Sequence, residues 1–247
     1  MENNINIFNQ EIKDSILFHI PHASSKIPHS RSYPDWGLAI SEKDLVTDTD
    51  VEKIFDVPKI KKIKANFSRI FCDVERLPDR IEPLFESGRG FFYTKTDKGE
   101  LLRNDELKSF VLKNYYLKHH AKFERAIEKK LNENDVVYII DCHTFNDIPL
   151  NTDLDKTMPR PDICLGTNWL HTPKFLTNYI KHSFEKNGYS VAINTPYKDT
   201  FVPSKFQLDK RVNSIMIEIN KRLYMTDNRE NDVKKLNSVI KEIFNFC

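Results

Sequence analysis

The chain contains 247 residues, and its 38 Lys and Arg residues nearly balance its 36 Asp and Glu residues, which leaves a net charge of +2. Such a chain has no strong global field, so bulk charge gives no support to non-specific nucleic-acid binding. Only six glycines are present, and they form neither a GxGxxG motif nor a Walker A motif. A Rossmann fingerprint and a P-loop are therefore excluded.

The sequence shows no membrane or secretion signal. No stretch approaches the roughly 18 consecutive apolar residues of a membrane span, and the N-terminal segment is polar and mixed in charge. The four cysteines are far apart and form no CxxC pair, and three of them lie in or beside apolar runs where cysteine is a small buried residue. These cysteines are Cys72, Cys142, Cys164 and Cys247. The pattern predicts a reduced, cytoplasmic protein.

Apolar, β-rich runs alternate with helical patterns along the chain. The predicted strands are residues 15–20, 68–74, 135–140, 162–165, 189–193 and 214–219. The predicted helices are residues 41–55, which open with a capping-box-like Ser-x-x-Asp, and residues 104–131, 172–186 and 233–246. This alternation is typical of an α/β fold with a mostly parallel sheet covered on both faces. Because no Gly-, Ser- or Pro-rich linker divides the chain, we expect residues 1–247 to form one domain.

Two histidines follow predicted strands. His22 comes after the run SILFHI, and His143 comes after DVVYII. Ligands of open α/β sheets bind beyond the carboxyl ends of strands, so these histidines and nearby carboxylates are suited to a zinc site with an open fourth position. One histidine at a strand end is more often a hydrogen-bonded loop residue, and the second one strengthens the metal interpretation. His19 lies three residues before His22, and strand alternation predicts a structural role for it.

Asp48 and Asp50 lie in the helical pattern 41–55. Two residues on a helix are separated by about 200° of rotation, so both carboxylates cannot face one ion directly. One of them could ligate a metal while the other orients a ligand or caps the helix. From this segment alone, two solvated surface charges are the favoured interpretation.

Glu218 is the only ionisable residue of the run SIMIEI. In a sheet covered on both sides, a carboxylate at this position is desolvated and needs a partner or a raised pKa, as a general base beside a metal site would. An edge strand with Glu218 in solvent is an equal alternative. Arg69 and Arg76 bracket the run SRIFCDVER, and Arg103 follows; arginine can bind carboxylates and oxyanions, although surface salt bridging is its default role.

A basic run, Lys59 to Lys64, has no accompanying aromatic residues. Isoleucines interleave its lysines, which favours a solvated strand or loop face over a nucleic-acid patch.

Seven motifs, in order between residues 20 and 225, resemble the N-formylglutamate amidohydrolase family. They are IPHASSKIP (20–28), DTD (48–50), NFSRIFCDVER (66–76), DCHT (141–144), PDICLGTN (161–168), NTPY (194–197) and IEINKRLYM (217–225). The resemblance implies a three-layer α/β/α fold with a mostly parallel, mixed sheet, related to the phosphorylase/hydrolase-like zinc carboxypeptidases and aspartoacylases. It also implies one catalytic Zn²⁺ ion and hydrolysis of the amide bond of a small anionic N-acyl amino acid, N-formyl-L-glutamate above all.

The resemblance also implies roles for individual residues. His22, His143 and Asp50 become the metal ligands, with Asp48 as a supporting group, because the residue three after His22 is a serine rather than the glutamate of carboxypeptidases. Glu218 becomes the general acid/base, and Arg69 polarises the scissile carbonyl. The residues implied to bind substrate are Arg76, Arg103, Asn66 and His120.

Two departures from the family pattern concern the substrate. The family usually has Asp-x-Asn-Arg where this chain has Glu75 as the third residue, and it usually has a glycine pair where this chain has Asp199 and Thr200. A carboxypeptidase-like peptidase, a deacylase for another N-acyl group and a catalytically inactive binding protein are therefore the alternatives. We expect no nucleic-acid or membrane partner and a monomer or small homo-oligomer.

Overall fold

The computed structural model describes residues 13–244. Its strands form one six-stranded sheet in the order β2-β1-β3-β6-β4-β5. They are β1 (Ile16–Ile20), β2 (Lys61–Lys64), β3 (Val137–Phe145), β4 (Ile163–Gly166), β5 (Val191–Ile193) and β6 (Val212–Asn220). All pairings are parallel except that of β4 with β6. The prediction of a mostly parallel, mixed sheet is confirmed.

Helices cover both faces of this sheet. The α-helices are α1 (Trp36–Val46), α2 (Val51–Ile54), α3 (Lys108–Val111), α4 (Leu117–Glu133), α5 (Lys174–Lys186) and α6 (Arg229–Ile243). A π-helical turn, Leu112–Tyr116, joins α3 to α4. Apolar residues of α2, α5 and α6 pack with one face of the sheet, and Phe123, Ala126 and Ile127 of α4 pack with the other. The result is a three-layer α/β/α architecture, as expected. Among the described helices, none is long and apolar enough to cross a bilayer.

The predicted helix 41–55 is wrong in its bounds and its continuity. Helix α1 begins at Trp36 because Asp35 caps it, its side chain accepting a hydrogen bond from the Leu38 N–H at 2.8 Å. The chain then leaves the helix at Thr47, and Asp50 adopts a left-handed backbone conformation with φ of 60° before α2. Asp48 and Asp50 therefore lie in a loop, where the helical rotation between them does not apply.

The predicted strand 68–74 is also wrong. Its backbone bonds locally, with Phe71 and Cys72 N–H groups donating to the carbonyl of Ser68 at 3.0 and 3.1 Å. Ile70, Phe71, Cys72 and Val74 are all fully buried, as in a strand covered on both faces. They pack into two smaller clusters beside the sheet. This apolar run is therefore buried without forming a strand of the sheet.

Strand β4 runs in the opposite direction to the strand beside it, β6. Because β4 runs antiparallel to β6, Gly166 pairs with Met216 and Ile163 pairs with Ile219. Residues 166–168 therefore lie at the edge of the sheet opposite the carboxyl ends of β1, β3 and β6. The basic run Lys61–Lys64 forms the edge strand β2, in agreement with a solvated strand face.

Candidate active site

His22 and His143 lie side by side at the carboxyl end of the sheet. His22 follows β1, His143 lies in the neighbouring strand β3, and both are buried. Their Nδ1 atoms are 3.3 Å apart. The Asp48 Oδ2 atom lies 3.1 Å from the Nδ1 atom of His143 and 3.8 Å from that of His22. Two imidazole nitrogens and a carboxylate oxygen thus form a small triangle.

Asp48, rather than Asp50, contacts the histidines. The Asp48 N–H donates to the carbonyl of His22 at 3.1 Å, and the Thr144 N–H donates to Asp48 Oδ2 at 3.3 Å. Tyr224 fixes the loop that carries Asp48, because its hydroxyl donates a hydrogen bond to the Thr49 carbonyl at 2.6 Å. The three contacts turn the Asp48 side chain toward the rings.

Asp50 points away from the site. Its carboxylate pairs with Lys53 at 2.7 Å and Arg229 at 2.6 Å, beside a surface groove of about 520 Å³. Asp48, expected as the supporting group, therefore lies beside the histidines, and Asp50, expected as the ligand, does not. The positive φ of Asp50 turns the chain between the two residues.

Asp73 is the most heavily contacted carboxylate of the site. It accepts a hydrogen bond from His22 Nε2 at 2.9 Å, two from Arg69 at 2.8 and 3.1 Å, and one from the Tyr93 hydroxyl at 3.1 Å. Burial would raise the pKa of Asp73, but the charge of Arg69 and the hydrogen bond from His22 outweigh it and hold that pKa far below its usual range. Because His22 donates through Nε2, its Nδ1 atom presents a lone pair to the triangle.

Glu218 pairs with His143 across the parallel strands β3 and β6, so both side chains lie on the same face of the sheet. Strand β6 is internal, between β3 and β4, which removes the edge-strand alternative. Glu218 is buried, and its Oε2 atom has no hydrogen-bond partner. Burial raises the pKa of Glu218 to about 8, against the lowering effect of His143.

Arg69 and Lys221 are the cations near Glu218 and Asp48. Arg69 binds Asp73 through Nε and Nη2, and the charge of Asp73 raises the pKa of its guanidinium against the effect of burial. Lys221 donates to Asn146 Oδ1 at 2.9 Å, and its pKa is lowered by burial against the nearby negative charges of Asp48 and Glu218.

Arg103 does not reach the site. It is fully buried and donates to the backbone carbonyls of Tyr93, Ile70 and Phe71 at 2.9, 3.0 and 2.6 Å. Its guanidinium also lies over the Phe92 ring, 3.4 Å from the centroid. Arg103 therefore supports the long loop that carries Arg69 and Asp73, and its contacts are with backbone carbonyls of that loop rather than with the histidine cluster.

The other expected substrate residues lie at the margin of the site or outside it. Arg76 is one-third exposed and lies 3.4 Å from Glu82 and 3.9 Å from Asp73. His120 donates from Nε2 to the Val74 carbonyl at 2.8 Å and lies against Tyr116. Asn66 is exposed in a bend after β2, and no hydrogen bond joins it to the site within the described residues.

Asp199 and Thr200 also lie away from Glu218. Asp199 accepts a hydrogen bond from Asn168, and the Thr200 and Ser214 hydroxyls are 2.7 Å apart, near the start of β6. The Asp199 carbonyl lies close to Gly166. A Cβ atom added at residue 166 would lie 2.0 Å from the Asp199 carbonyl oxygen. These two residues therefore shape the opposite end of β6 rather than the surroundings of Glu218.

Sequence reasoning missed three contacting residues, Asp73, Asp141 and Glu75, as parts of the histidine cluster. Asp141 lies two residues before His143, so strand alternation places both on one face and was the signal available; its Oδ1 atom is 3.2 Å from His143 Nε2. Glu75 follows the predicted strand 68–74 and is a departure from the family pattern, but the sequence assigned it no role. Its oxygens lie 3.4 Å from His143 Nε2 and 3.5 Å from His22 Nε2. No local signal predicted that contact, since it depends on the loop's path.

A three-layer α/β/α fold with buried histidines, carboxylates and an arginine at the carboxyl ends of parallel strands defines a hydrolase-like class of protein. The profile of the N-formylglutamate amidohydrolase family matches residues 14–225. The chain therefore belongs to the N-formylglutamate amidohydrolase family, as the motifs indicated.

Two solved structures share the fold. An N-formylglutamate amidohydrolase from Ralstonia eutropha JMP134 is 19% identical with a TM-score of 0.78, and the alignment covers 94% of this chain and 93% of that one. The gene product Atu2144 from Agrobacterium tumefaciens is 16% identical with a TM-score of 0.68, covering 94% and 90%. No curated protein sequence matches the chain.

Proposed function

We propose that the chain is a zinc-dependent amidohydrolase of N-acyl amino acids and that N-formyl-L-glutamate is its substrate. The single observation that carries this proposal is the triangle of His22 Nδ1, His143 Nδ1 and Asp48 Oδ2 beside Glu218, in a member of this family. The donor set, the acid/base and an arginine then belong to one site.

The spacing of the three donor atoms fits a zinc ion. With Zn–N and Zn–O distances of roughly 2.0–2.1 Å, ligand atoms of a tetrahedral site lie about 3.3 Å apart, and the triangle has sides of 3.1, 3.3 and 3.8 Å. Three protein ligands leave one position open, as catalytic zinc sites require. When bound, the ion acidifies water and polarises an amide carbonyl.

A different donor set, His22, Glu75 and His143, is also close enough to hold an ion. We favour Asp48 over Glu75 because the Glu75 carboxylate lies against the Nε2 edge of His22. That nitrogen already donates its hydrogen to Asp73, so it has no lone pair for a metal.

Glu218 supplies the proton transfers. Burial raises the pKa of Glu218 to about 8, so the carboxyl group is mostly protonated at neutral pH. The ionised fraction can take a proton from water, and the carboxylic acid that forms can deliver it to the leaving amine. Arg69 uses Nε and Nη2 for Asp73, and within the described residues no hydrogen bond occupies its Nη1. That group is available to the carbonyl oxygen, on which negative charge develops.

A second candidate function is deacylation of a different N-acyl amino acid. It is favoured because two of the cations expected to bind the glutamate carboxylates have other partners. Arg103 donates to backbone carbonyls, and Arg76 lies 3.4 Å from Glu82. Glu75 adds a negative charge close to the histidines. Lys221 and Arg69 are then the cations left for one small anionic substrate.

Chelation and zinc replacement test the metal dependence of the reaction. We expect the metal-free protein to hydrolyse N-formyl-L-glutamate at least 100-fold more slowly and zinc to restore the rate. His22→Gln should not be restored, whereas His182→Gln, a matched change at an exposed histidine, should behave as the parent protein. A metal-free protein with full activity would refute zinc dependence.

A substrate series separates the two candidate functions. The rates on N-formyl-L-glutamate, N-acetyl-L-aspartate, neutral N-acyl amino acids and short peptides are compared as kcat/KM. Fastest hydrolysis of N-formyl-L-glutamate supports the proposal, and a preference of tenfold or more for another N-acyl amino acid supports the second candidate. Hydrolysis of peptides alone contradicts both.

A further inference from the structure

A second cluster of ionisable groups lies deeper than the triangle, on the same face of the sheet. His19 of β1 and Asp141 of β3 are paired in register, and their Nδ1 and Oδ1 atoms are 2.9 Å apart. The Oε1 atom of Glu75 reaches the same Nδ1 atom at 3.2 Å. His19 is fully buried, Asp141 is 2% exposed and the Glu75 side chain is 14% exposed.

The hydrogen-bonding capacity of this cluster is incomplete. Among the residues that the structure describes, neither Glu75 Oε1 nor His143 Nε2 has a hydrogen-bond partner, although both atoms are buried. The His143 Nε2 atom lies 3.2 Å from Asp141 and 3.4 Å from Glu75, and is aimed between the two carboxylates. Buried polar atoms without partners are costly, so such a gap calls for an occupant.

No fixed cation neutralises these two carboxylates. Within residues 13–244, the ion pairs of Asp141 and Glu75 are with histidines alone. Asp73 differs, since Arg69 and Arg76 both lie within 4 Å of it. A buried carboxylate needs a counter-charge or a metal.

We propose that His19, Glu75 and Asp141 bind a second divalent cation, distinct from the zinc ion proposed at His22, His143 and Asp48. The measured donor separations, 2.9 and 3.2 Å from His19 Nδ1, match the spacing of about 3.3 Å around a small four-coordinate ion. One imidazole nitrogen and two carboxylate oxygens suit zinc or manganese.

The surroundings of His19 support this role. Its Nε2 atom lies 3.1 Å from the Nε2 atom of His119. His19 can donate its one hydrogen there and keep a lone pair on Nδ1 for the ion, the arrangement usual for a ligating histidine. Within the described part of the chain, the ligand atoms of His19, Glu75 and Asp141 lie close enough to one another to hold one ion.

The second ion would also act on the first site. Asp141 and Glu75 lie on the Nε2 side of His143, whose Nδ1 atom belongs to the triangle. An ion that fixes both carboxylates therefore fixes the negative charges that lie next to His143 Nε2. This consequence rests on the proposed function, whereas the existence of the second ion does not.

Metal content of the whole chain tests the second ion. The protein is stripped with chelator, loaded with Zn²⁺ or Mn²⁺, freed of excess metal and analysed for bound equivalents. We expect two equivalents for the parent protein and for Glu133→Gln, a matched change at an exposed helix end. We expect one equivalent for Glu75→Gln and for His19→Gln, and one for Asp48→Asn, which alters the other site.

Anomalous diffraction from crystals of the loaded parent protein gives a reading independent of variant folding. A peak between His19, Glu75 and Asp141 supports the second site, and a single peak at His22 and His143 overturns it. The second site is also overturned if the parent protein binds one equivalent of metal and Glu75→Gln still binds it. A protonated His19 would then balance the two carboxylates. A protein with one equivalent and full amidase activity refutes the second site alone. A protein with two equivalents and no amidase activity refutes the proposed function alone.

Discussion

The candidate site has two halves that are held in different ways. The strand half consists of Asp141, His143 and Glu218, which lie on the adjacent strands β3 and β6 and are fixed by the register of the sheet. The loop half consists of Arg69, Asp73 and Glu75, which lie in a long segment without strands between β2 and α3. Backbone pairing positions the first half, so side chains must do the same for the second.

Arg103 provides much of that support. Its guanidinium joins three carbonyls from two parts of the loop, at residues 70, 71 and 93. A buried ion pair between Arg89 and Glu42 attaches the same loop to α1. The side chains of the strand half therefore keep their positions through backbone pairing. Those of the loop half keep theirs only while the hydrogen bonds and ion pairs within the loop are intact. Four substitutions test this view.

The largest effect is expected in the strand half. Glu218→Gln removes the acid/base while keeping the size of the side chain, so kcat should fall by about 100- to 10,000-fold with the zinc content unchanged. Activity of the purified variant and its metal content are the measurements. Glu230→Gln, at an exposed position of α6, is the control. If Glu218→Gln retained full activity, Glu218 would not be the acid/base.

Arg103→Met tests the support of the loop half. It removes a donor from three buried carbonyls, of which the Ile70 carbonyl keeps the Tyr33 hydroxyl at 3.3 Å, and should lower the free energy of unfolding by about 3 kcal/mol. A large loss of activity should follow because Arg69 and Asp73 shift. Denaturant unfolding measures the first effect. The exposed Arg211 pairs with neighbouring Asp209 and gives the control Arg211→Met, which should match the parent protein. Equal stabilities for the two variants would contradict the role of Arg103.

Asp73→Asn tests the link between the halves. Asn can still accept the hydrogen bond from His22 Nε2, but it loses the negative charge that Arg69 and the histidine share. Zinc affinity should fall by about 10- to 100-fold, the usual effect of altering a carboxylate behind a ligating histidine. Competition with a chelator of known affinity measures the change. An unaltered affinity would show that Asp73 orients Arg69 and does not act on the metal.

The same division explains what the sequence could predict. Alternation along a strand identified Glu218, because period two is a local rule. Asp141 was missed because the predicted strand ended at residue 140, whereas β3 extends through Phe145. The run 68–74 has the composition of a strand, yet Arg103 draws its carbonyls into turns. That contact joins residues more than 30 positions apart, and so does the approach of Glu75 to His22. Neither can be inferred from neighbouring residues.

The smallest effect is expected at Asp50, the ligand that the family resemblance first implied. Asp50→Asn should leave zinc affinity within about twofold, since Asp50 pairs with Lys53 and Arg229, whose side chains are 73% and 44% exposed, and such pairs contribute little. Asparagine tolerates the left-handed backbone at this position as aspartate does, so the loop should keep its path. Asp48→Asn is the matched comparison and should weaken zinc binding by tenfold or more, because Asp48 contacts both the His143 ring and the Thr144 N–H. If Asp50→Asn weakened binding more than Asp48→Asn, the loop between α1 and α2 would adopt a different path in the metal-bound protein. The metal ligand would then be Asp50, as the motif implied.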